Sequence, residues 1–365
     1  MTTNTLAAVL RAPDARFAFE QVTLGELGPH DVLVRIVGVG FCHTDVMPRG
    51  MAAHALPAIL GHEGSGVVTE VGDEVSHVRL GDAVVLSFAS CGECGQCLKG
   101  TPAYCVNFLA LNMSGRDMFG GTSATDGAGT PLQNRWFGQS SFAEYCIVNE
   151  RSAVVVDPDL PIELMGPLGC GIQTGAGAVL NEMDLQPGQS IAVFGAGAVG
   201  LSAVMAAKVA GAADIVAIDL HQSRLDLALE LGATRVVLAS EKRLVDRILG
   251  DSDGLDFALD TTGVSAVMES AIEVVGAGGE IVLLGASVDG LALHPTTLTG
   301  KRVTYVLEGG ADPQRFIPLL IEHWQAGRFP FDRLVATYRF EDIDVAEAEA
   351  RTGEAIKPVL LVGSR

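Results

Sequence analysis

Apolar and polar positions divide the chain into two kinds of pattern. Up to about residue 155, short apolar runs such as Val32–Val39, Gly66–Val71 and Ala83–Phe88 are separated by turn pairs, Gly28-Pro29 and Gly81-Asp82 among them. Runs of this length bounded by turn residues predict β-strands. From 190 to 300 the pattern alternates. Ser190–Phe194, Ile215–Ile218, Phe257–Asp260 and Glu280–Leu284 read as buried parallel strands, and 198–210, 221–231 and 265–275 between them carry helical spacing. Such alternation predicts an α/β unit with a doubly wound parallel sheet. Beyond 300, a helix around 313–326 and a last strand at Pro358–Val362 are expected to rejoin the first region. A Gly/Ser/Thr-rich stretch over 109–140 reads as a long loop, and no internal repeat is visible.

The uncharged stretch from Ser190 to Ala207 has the length of a membrane span, but Gly195, Gly197 and Gly200 interrupt it. A strand, a glycine turn and a buried helix account for it better. Gly195-Ala-Gly197-Ala-Val-Gly200 has the spacing of a dinucleotide-binding turn, and Asp219 follows at the end of the next strand. Glycines there let backbone approach a pyrophosphate, while the helix N-terminus offers free N–H groups and partial positive charge. Asp219 can accept from both ribose hydroxyls and repels a 2′-phosphate, which favours NAD over NADP. The plain alternative is a glycine turn that serves only close helix–strand packing.

The length of 365 residues suits two domains, or three. A net charge of −20 argues against nucleic acid or an anionic membrane as partner. Any anionic ligand must then be held by local groups against the global field. The first residues show neither a basic start nor a long apolar run, so no signal peptide is expected and the chain is read as soluble and cytoplasmic. Four of the seven cysteines, Cys91, Cys94, Cys97 and Cys105, are spaced C-x2-C-x2-C-x7-C. Four thiolates at this density suit a closed, structural tetrahedral Zn²⁺. A disulfide pair and an iron–sulfur cluster are the alternatives. Cys42, Cys146 and Cys170 stand apart, and a solitary cysteine is more often a small buried apolar residue than a ligand.

Gly61-His-Glu-Gly-Ser-Gly66 with Gly72 and Val75 matches the signature GHE-x2-G-x5-G-x2-V of the zinc-dependent medium-chain alcohol dehydrogenases. Cys42 in Gly40-Phe-Cys-His-Thr-Asp45, Cys170 in Pro167-Leu-Gly-Cys-Gly-Ile-Gln-Thr174, the four-cysteine lobe and the nucleotide motif follow in that family's order. The sequence therefore resembles this family over nearly its whole length. Phe137–Phe142, Phe329–Leu334 and Gly353–Pro358 are most similar to the aryl-alcohol (benzyl alcohol) dehydrogenases.

The resemblance implies a β-rich GroES-like catalytic domain, 1–155 and 298–365 with the zinc lobe at 91–105, and a Rossmann domain over 156–297. It implies two Zn²⁺ per chain. Cys42, His62 and Cys170 would ligate a catalytic ion whose fourth position is left for water or alcohol. Glu63 would stand beside it as an occasional ligand or a structural residue. Asp45 would accept from the His62 ring, and Thr44 would hydrogen-bond the substrate oxygen. His43 and Lys357 align with residues that contact the cofactor pyrophosphate. Thr174 and Val199 align behind the nicotinamide, and Arg224 is counted among the cofactor-binding residues. The activity implied is reversible NAD-dependent oxidation of a primary aryl or allylic alcohol to its aldehyde. A terpene alcohol enzyme and a glutathione-dependent formaldehyde dehydrogenase are the alternatives. The family implies a homodimer or homotetramer, in which the strand near 281–310 pairs across subunits.

Two positions depart from the family pattern. Met47 stands where many members carry a relay histidine, which leaves His43 or water to pass the proton out. Ser87 stands where several carry a bulky aromatic, which predicts a wider pocket unless the 109–140 segment refills it.

Overall fold

The computed structural model describes residues 2–50, 56–117, 120–285 and 290–363. It divides into two compact units. The first comprises 1–170, 312–318 and 332–365, and the second comprises 171–311 and 319–331.

The first unit is built on two sheets. A five-stranded sheet runs in the order Ala58–Ile59, Thr3–Leu10, Ala18–Leu24, Ala124–Asp126, Pro131–Leu132. In the seven-stranded sheet, Asp31–Gly40 lies between Glu63–Val71 and the C-terminal strand Lys357–Leu361. Val32, Val34, Ile36 and Val39 of that strand are buried. The 109–140 stretch is less irregular than its composition suggests. It carries most of the helix Phe108–Met113, two short strands and the turn Trp136–Gly138. Its aromatic pair Trp136 and Phe137 turns inward with Leu132, and all three are buried.

The second unit carries a six-stranded parallel sheet. Its strands are Ser190–Phe194, Asp214–Asp219, Arg235–Leu238, Leu255–Asp260, Val275–Leu283 and Arg302–Tyr305, and their spatial order is 3-2-1-4-5-6. That is the doubly wound dinucleotide-binding topology, in which the strand order reverses beside the first strand. Helices Ala198–Ala210, Gln222–Leu231 and Ser265–Val274 follow the strands, close to the segments expected from periodicity. Ala192, Val216, Ala258 and Ile281 from four strands form the core with Met268 and Ile272.

The unit boundaries differ from the expected breaks at 155/156 and 297/298. The second unit begins only after Cys170 and extends through 311, because Arg302–Tyr305 pairs in parallel with Glu280–Leu283. Sheet pairing outweighs the mixed local pattern that suggested a return to the first domain at 298. Helix Pro313–Gln325 is divided, its residues from Leu319 on belonging to the second unit.

Candidate active site

Three turns of the first unit bring Cys42, His62, Glu63 and Cys170 together, with one ligand atom of each within 4.8 Å of the others. Cys42 caps the short turn His43–Val46, which is closed by Asp45 N–H donating to the Cys42 carbonyl (3.0 Å) and Cys42 N–H to Asp45 Oδ2 (3.2 Å). His62 and Glu63 open the strand Glu63–Val71. Cys170 follows the turn Gly166–Gly169, which lies against the strand Ala83–Leu86. A Cβ at Gly169 would stand 1.9 Å from the Leu86 carbonyl oxygen, so only glycine lets this turn deliver Cys170.

The donor set fits a metal ion. His62 Nδ1 meets Asp45 Oδ1 at 2.7 Å, and both side chains are fully buried. Its other nitrogen, Nε2, is buried and finds no hydrogen-bond partner among the described residues. A buried, unpaired imidazole nitrogen is costly unless a cation takes its lone pair. The adjacent Cys170 thiol holds the Cys42 thiol well below its usual range, with help from Lys357 and His62 and against burial. Thiolate is the form that binds metal.

Lys357 adds a buried ion pair to the site. Its Nζ lies 2.7 and 2.8 Å from the two Glu63 carboxylate oxygens, both side chains buried. Burial opposes its charge most strongly, but Glu63 together with the Cys42 and Cys170 thiols keeps the ammonium above its usual range. The residue aligned with a phosphate contact is thus directed at the metal cluster's own carboxylate. Thr44 Oγ1 lies 3.7 Å from Cys42 Sγ, and His43 is exposed. Met47 opens the short helix Met47–Gly50 and is half-buried.

Ser87 does not leave a simple gap. It is fully buried, and its hydroxyl donates to the Gly169 carbonyl at 2.7 Å. The aromatic side chain at the site comes from the 109–140 segment instead. Phe137 stacks on His62 with ring centroids 4.4 Å apart, and Phe108 meets Phe137 edge-on. Gln139 spans the same strand, donating to the His62 carbonyl at 2.8 Å and accepting from Gly64 N–H at 3.1 Å. No spacing rule marked Trp136, Phe137 or Gln139 as site residues. In the sequence, Phe137 and Gln139 stand out only as part of the stretch Phe137–Phe142 that resembles the aryl-alcohol dehydrogenases, and Trp136 lies outside it.

In the four-cysteine lobe the Sγ atoms lie 3.5 to 4.0 Å apart in the Cys91–Cys105, Cys94–Cys97, Cys91–Cys97 and Cys94–Cys105 pairs. A tetrahedral ion with sulfur bonds of about 2.3 Å needs sulfurs about 3.8 Å apart. All seven cysteines are free, and these four converge as a set rather than as bonded pairs, which favours an ion over a disulfide. A multi-iron cluster holds its thiolates on different metals and cannot gather all four this closely. The Cys97 N–H, at the first turn of helix Gly95–Leu98, leads the groups that hold the Cys94 thiol at about 6.

The second unit holds the nucleotide residues. Gly195 turns with φ +94°, and a Cβ at Gly200 would stand 1.7 Å from the Gly195 carbonyl. A Cβ at Gly197 would meet nothing within 4 Å, so open space adjoins the N-terminus of Ala198–Ala210, as a bound pyrophosphate requires. Asp219 Oδ2 accepts from Ala196 N–H (2.7 Å) and Oδ1 from His221 N–H (2.8 Å). Arg224 lies 3.8 Å from Asp219. Thr174 Oγ1 donates to the buried Glu308 at 3.4 Å. Val199 lies in the first turn of the helix, against Gly175.

Residues 28–158 match the alcohol dehydrogenase GroES-like domain, and 198–322 match the zinc-binding dehydrogenases. The sequence is 46% identical over 361 residues to geraniol dehydrogenase of Castellaniella defragrans, covering 97% of each chain. The chain belongs to the zinc-dependent medium-chain alcohol dehydrogenases. Benzyl alcohol dehydrogenase of Acinetobacter calcoaceticus superposes on this alcohol dehydrogenase with a TM-score of 0.94 at 40% identity, over 99% of this chain and 100% of that one. S-(hydroxymethyl)glutathione dehydrogenase of Saccharomyces cerevisiae is 32% identical over 97% of this chain and 95% of its own. The first unit of this alcohol dehydrogenase is therefore GroES-like and the second Rossmann-like.

Proposed function

We propose that this alcohol dehydrogenase converts a primary aryl or allylic alcohol reversibly to its aldehyde, with NAD⁺ taking the hydride. The buried set of Cys42, His62 and Cys170 carries the reading. Lys357 engages both Glu63 oxygens, so three donors remain for a Zn²⁺ and the fourth position is left to substrate. When bound, Zn²⁺ supplies the Lewis acidity that brings an alcohol's pKa toward neutrality. Asp45 fixes the His62 ring with Nε2 facing the thiols. Thr44 would hydrogen-bond the substrate hydroxyl and, as it takes that proton, release its own toward exposed His43 or water, which carries it to solvent, since Met47 cannot. Asp219 and the helix Ala198–Ala210 support NAD as the cofactor. The second Zn²⁺ belongs to the four-cysteine lobe and is structural.

The geraniol and benzyl alcohol relatives, one allylic and one aryl, support the substrate class. So does the aromatic wall of Phe137 and Phe108 beside His62. The exposed Tyr305 on the sheet's terminal strand supports pairing with a second copy, hence a homo-oligomer. Seven free thiols support a cytoplasmic location.

Elemental analysis should find two Zn²⁺ per chain. With NAD⁺, benzyl, cinnamyl, geranyl and perillyl alcohols should exceed ethanol about a hundredfold in kcat/KM, since a ring or prenyl chain buries enough extra apolar surface for about 3 kcal/mol. Equal use of ethanol would overturn the substrate class, and a single zinc the two-site reading.

A further inference from the structure

Phe137 and Gln139 of the Trp136–Gly138 turn and its flank contact His62, and Trp136 makes a charge-assisted contact with no assigned purpose to the carboxylate that holds the ring. The indole Nε1–H of Trp136 donates to Asp45 Oδ1 at 3.1 Å, on the same oxygen that takes His62 Nδ1 at 2.7 Å and Gly61 N–H at 3.0 Å. Trp136 is 1% exposed and Asp45 0%. The next residues hold backbone conformations that non-glycine residues rarely adopt: Phe137 has φ 49° and Ser140 φ 53°. Such strain persists only where surrounding contacts over-determine it, and it concentrates at functional sites. Here the contacts are local. Ser140 Oγ accepts from Trp136 N–H at 2.8 Å and donates to the Ile59 carbonyl at 2.6 Å. Phe137 stacks on the imidazole with the ring planes 28° apart, and Gln139 donates to the His62 carbonyl.

We propose that Trp136 is a positioning residue for the catalytic metal, acting through Asp45 on His62. The inference rests on the zinc reading of Cys42, His62 and Cys170 given above. The reasoning is geometric. A carboxylate facing one imidazole N–H can rotate and let the ring swing. Donors from three directions on one oxygen, with Cys42 N–H on the other at 3.2 Å, fix the carboxylate plane. The fixed carboxylate fixes the ring tautomer, with the proton on Nδ1 and the lone pair on Nε2 facing the Cys42 and Cys170 sulfurs. A phenylalanine at 136 fills most of the space but donates nothing. Groups that orient a metal-binding histidine in this way are worth about ten- to a hundredfold in metal affinity.

The test reads zinc retention. Wild type and Trp136→Phe are titrated with a chelator, and the two zinc ions are followed separately by the absorbance of cobalt-substituted protein. The four-cysteine ion serves as an internal measure of folding. The variant should lose the Cys42/His62/Cys170 ion at about ten- to a hundredfold lower chelator concentration, with the four-cysteine ion unmoved. In an Asp45→Ala background, the same change at 136 should have no further effect on zinc affinity. A second probe removes the N–H without changing the shape: benzothienylalanine at 136, in a Trp324→Phe background so that it is the only indole replaced. It should reproduce Trp136→Phe. Retention at wild-type strength in the benzothienylalanine protein would overturn the inference. So would an equal loss with and without Asp45, which would make Trp136 a packing residue alone. If wild type itself binds no metal at Cys42, His62 and Cys170, the zinc reading fails instead.

Discussion

Asp219 shows how one side chain serves two ends. Its carboxylate oxygens accept from Ala196 and His221 N–H groups, which ties the strand end Asp214–Asp219 to the glycine turn, and in the proposed reading it also receives an adenosine ribose. Arg224 stands 3.8 Å away. Asp219→Ser should therefore do more than weaken NAD⁺. It removes the repulsion of a 2′-phosphate and releases Arg224 to pair with one. The expected result is a rise of about tenfold or more in KM for NAD⁺, with a gain in kcat/KM for NADP⁺. Wild-type preference for NADP⁺ in the same assay would overturn the assignment. Lys357 shows how burial directs a cation at this scale: its ammonium lies on Glu63, because a buried carboxylate is a strong local demand for a positive charge.

At the scale of elements, the strand–turn–helix from Ser190 to Ala210 was legible almost to the residue, because periodicity, glycine spacing and the switch from strand to helix agree. Its glycines are separable by their surroundings. Gly200→Ala forces a Cβ to 1.7 Å from a backbone oxygen, so the turn must open, and loss of more than 2 kcal/mol of stability is expected. Gly197→Ala meets open space and should change Tm little, while weakening NAD⁺ binding by filling the room a pyrophosphate needs. Thermal melts with and without NAD⁺ check both. A large Tm loss in Gly197→Ala, or none in Gly200→Ala, would contradict this account. The 109–140 segment was illegible for the opposite reason. Its order comes from contacts distant in sequence, such as Asn112 with Ala89 and Trp136 with Asp45, which no local pattern announces.

Across the whole molecule, an excess of acid sets the response to pH. Several carboxylates are paired with arginines at the surface. Glu150 is different. It is 4% exposed and gathers three loops of the first unit, accepting from Ser76 N–H and hydroxyl at 2.7 and 3.1 Å and facing His30 and His77. Burial pushes its carboxyl up, but the Ser76 N–H and His30 outweigh burial and hold it at about 2, from an ordinary 4.5. A carboxyl lowered on folding stabilises the protein above the unfolded value, and that contribution is lost as pH falls from about 4.5 to about 2. Glu150→Gln should cost about 1–3 kcal/mol at pH 7 and progressively less across that window, by denaturant titration at each pH. A difference that stays constant with pH would remove the charge from the explanation. The sequence by itself determined the dinucleotide turn and the four-cysteine lobe, each a fixed local spacing of residues whose chemistry is unusual on its own, which backbone geometry turns into proximity. Cys42, His62 and Cys170 were marked by family resemblance, and only the fold brings them together. Tertiary structure alone decided that Arg302–Tyr305 joins the second sheet, that Ser87 anchors Gly169, that Lys357 meets Glu63 and that Trp136 and Phe137 enclose His62. Those contacts join residues far apart in the chain. They are selected by burial and by the need of every buried polar group for a partner, quantities that exist only once the chain has folded.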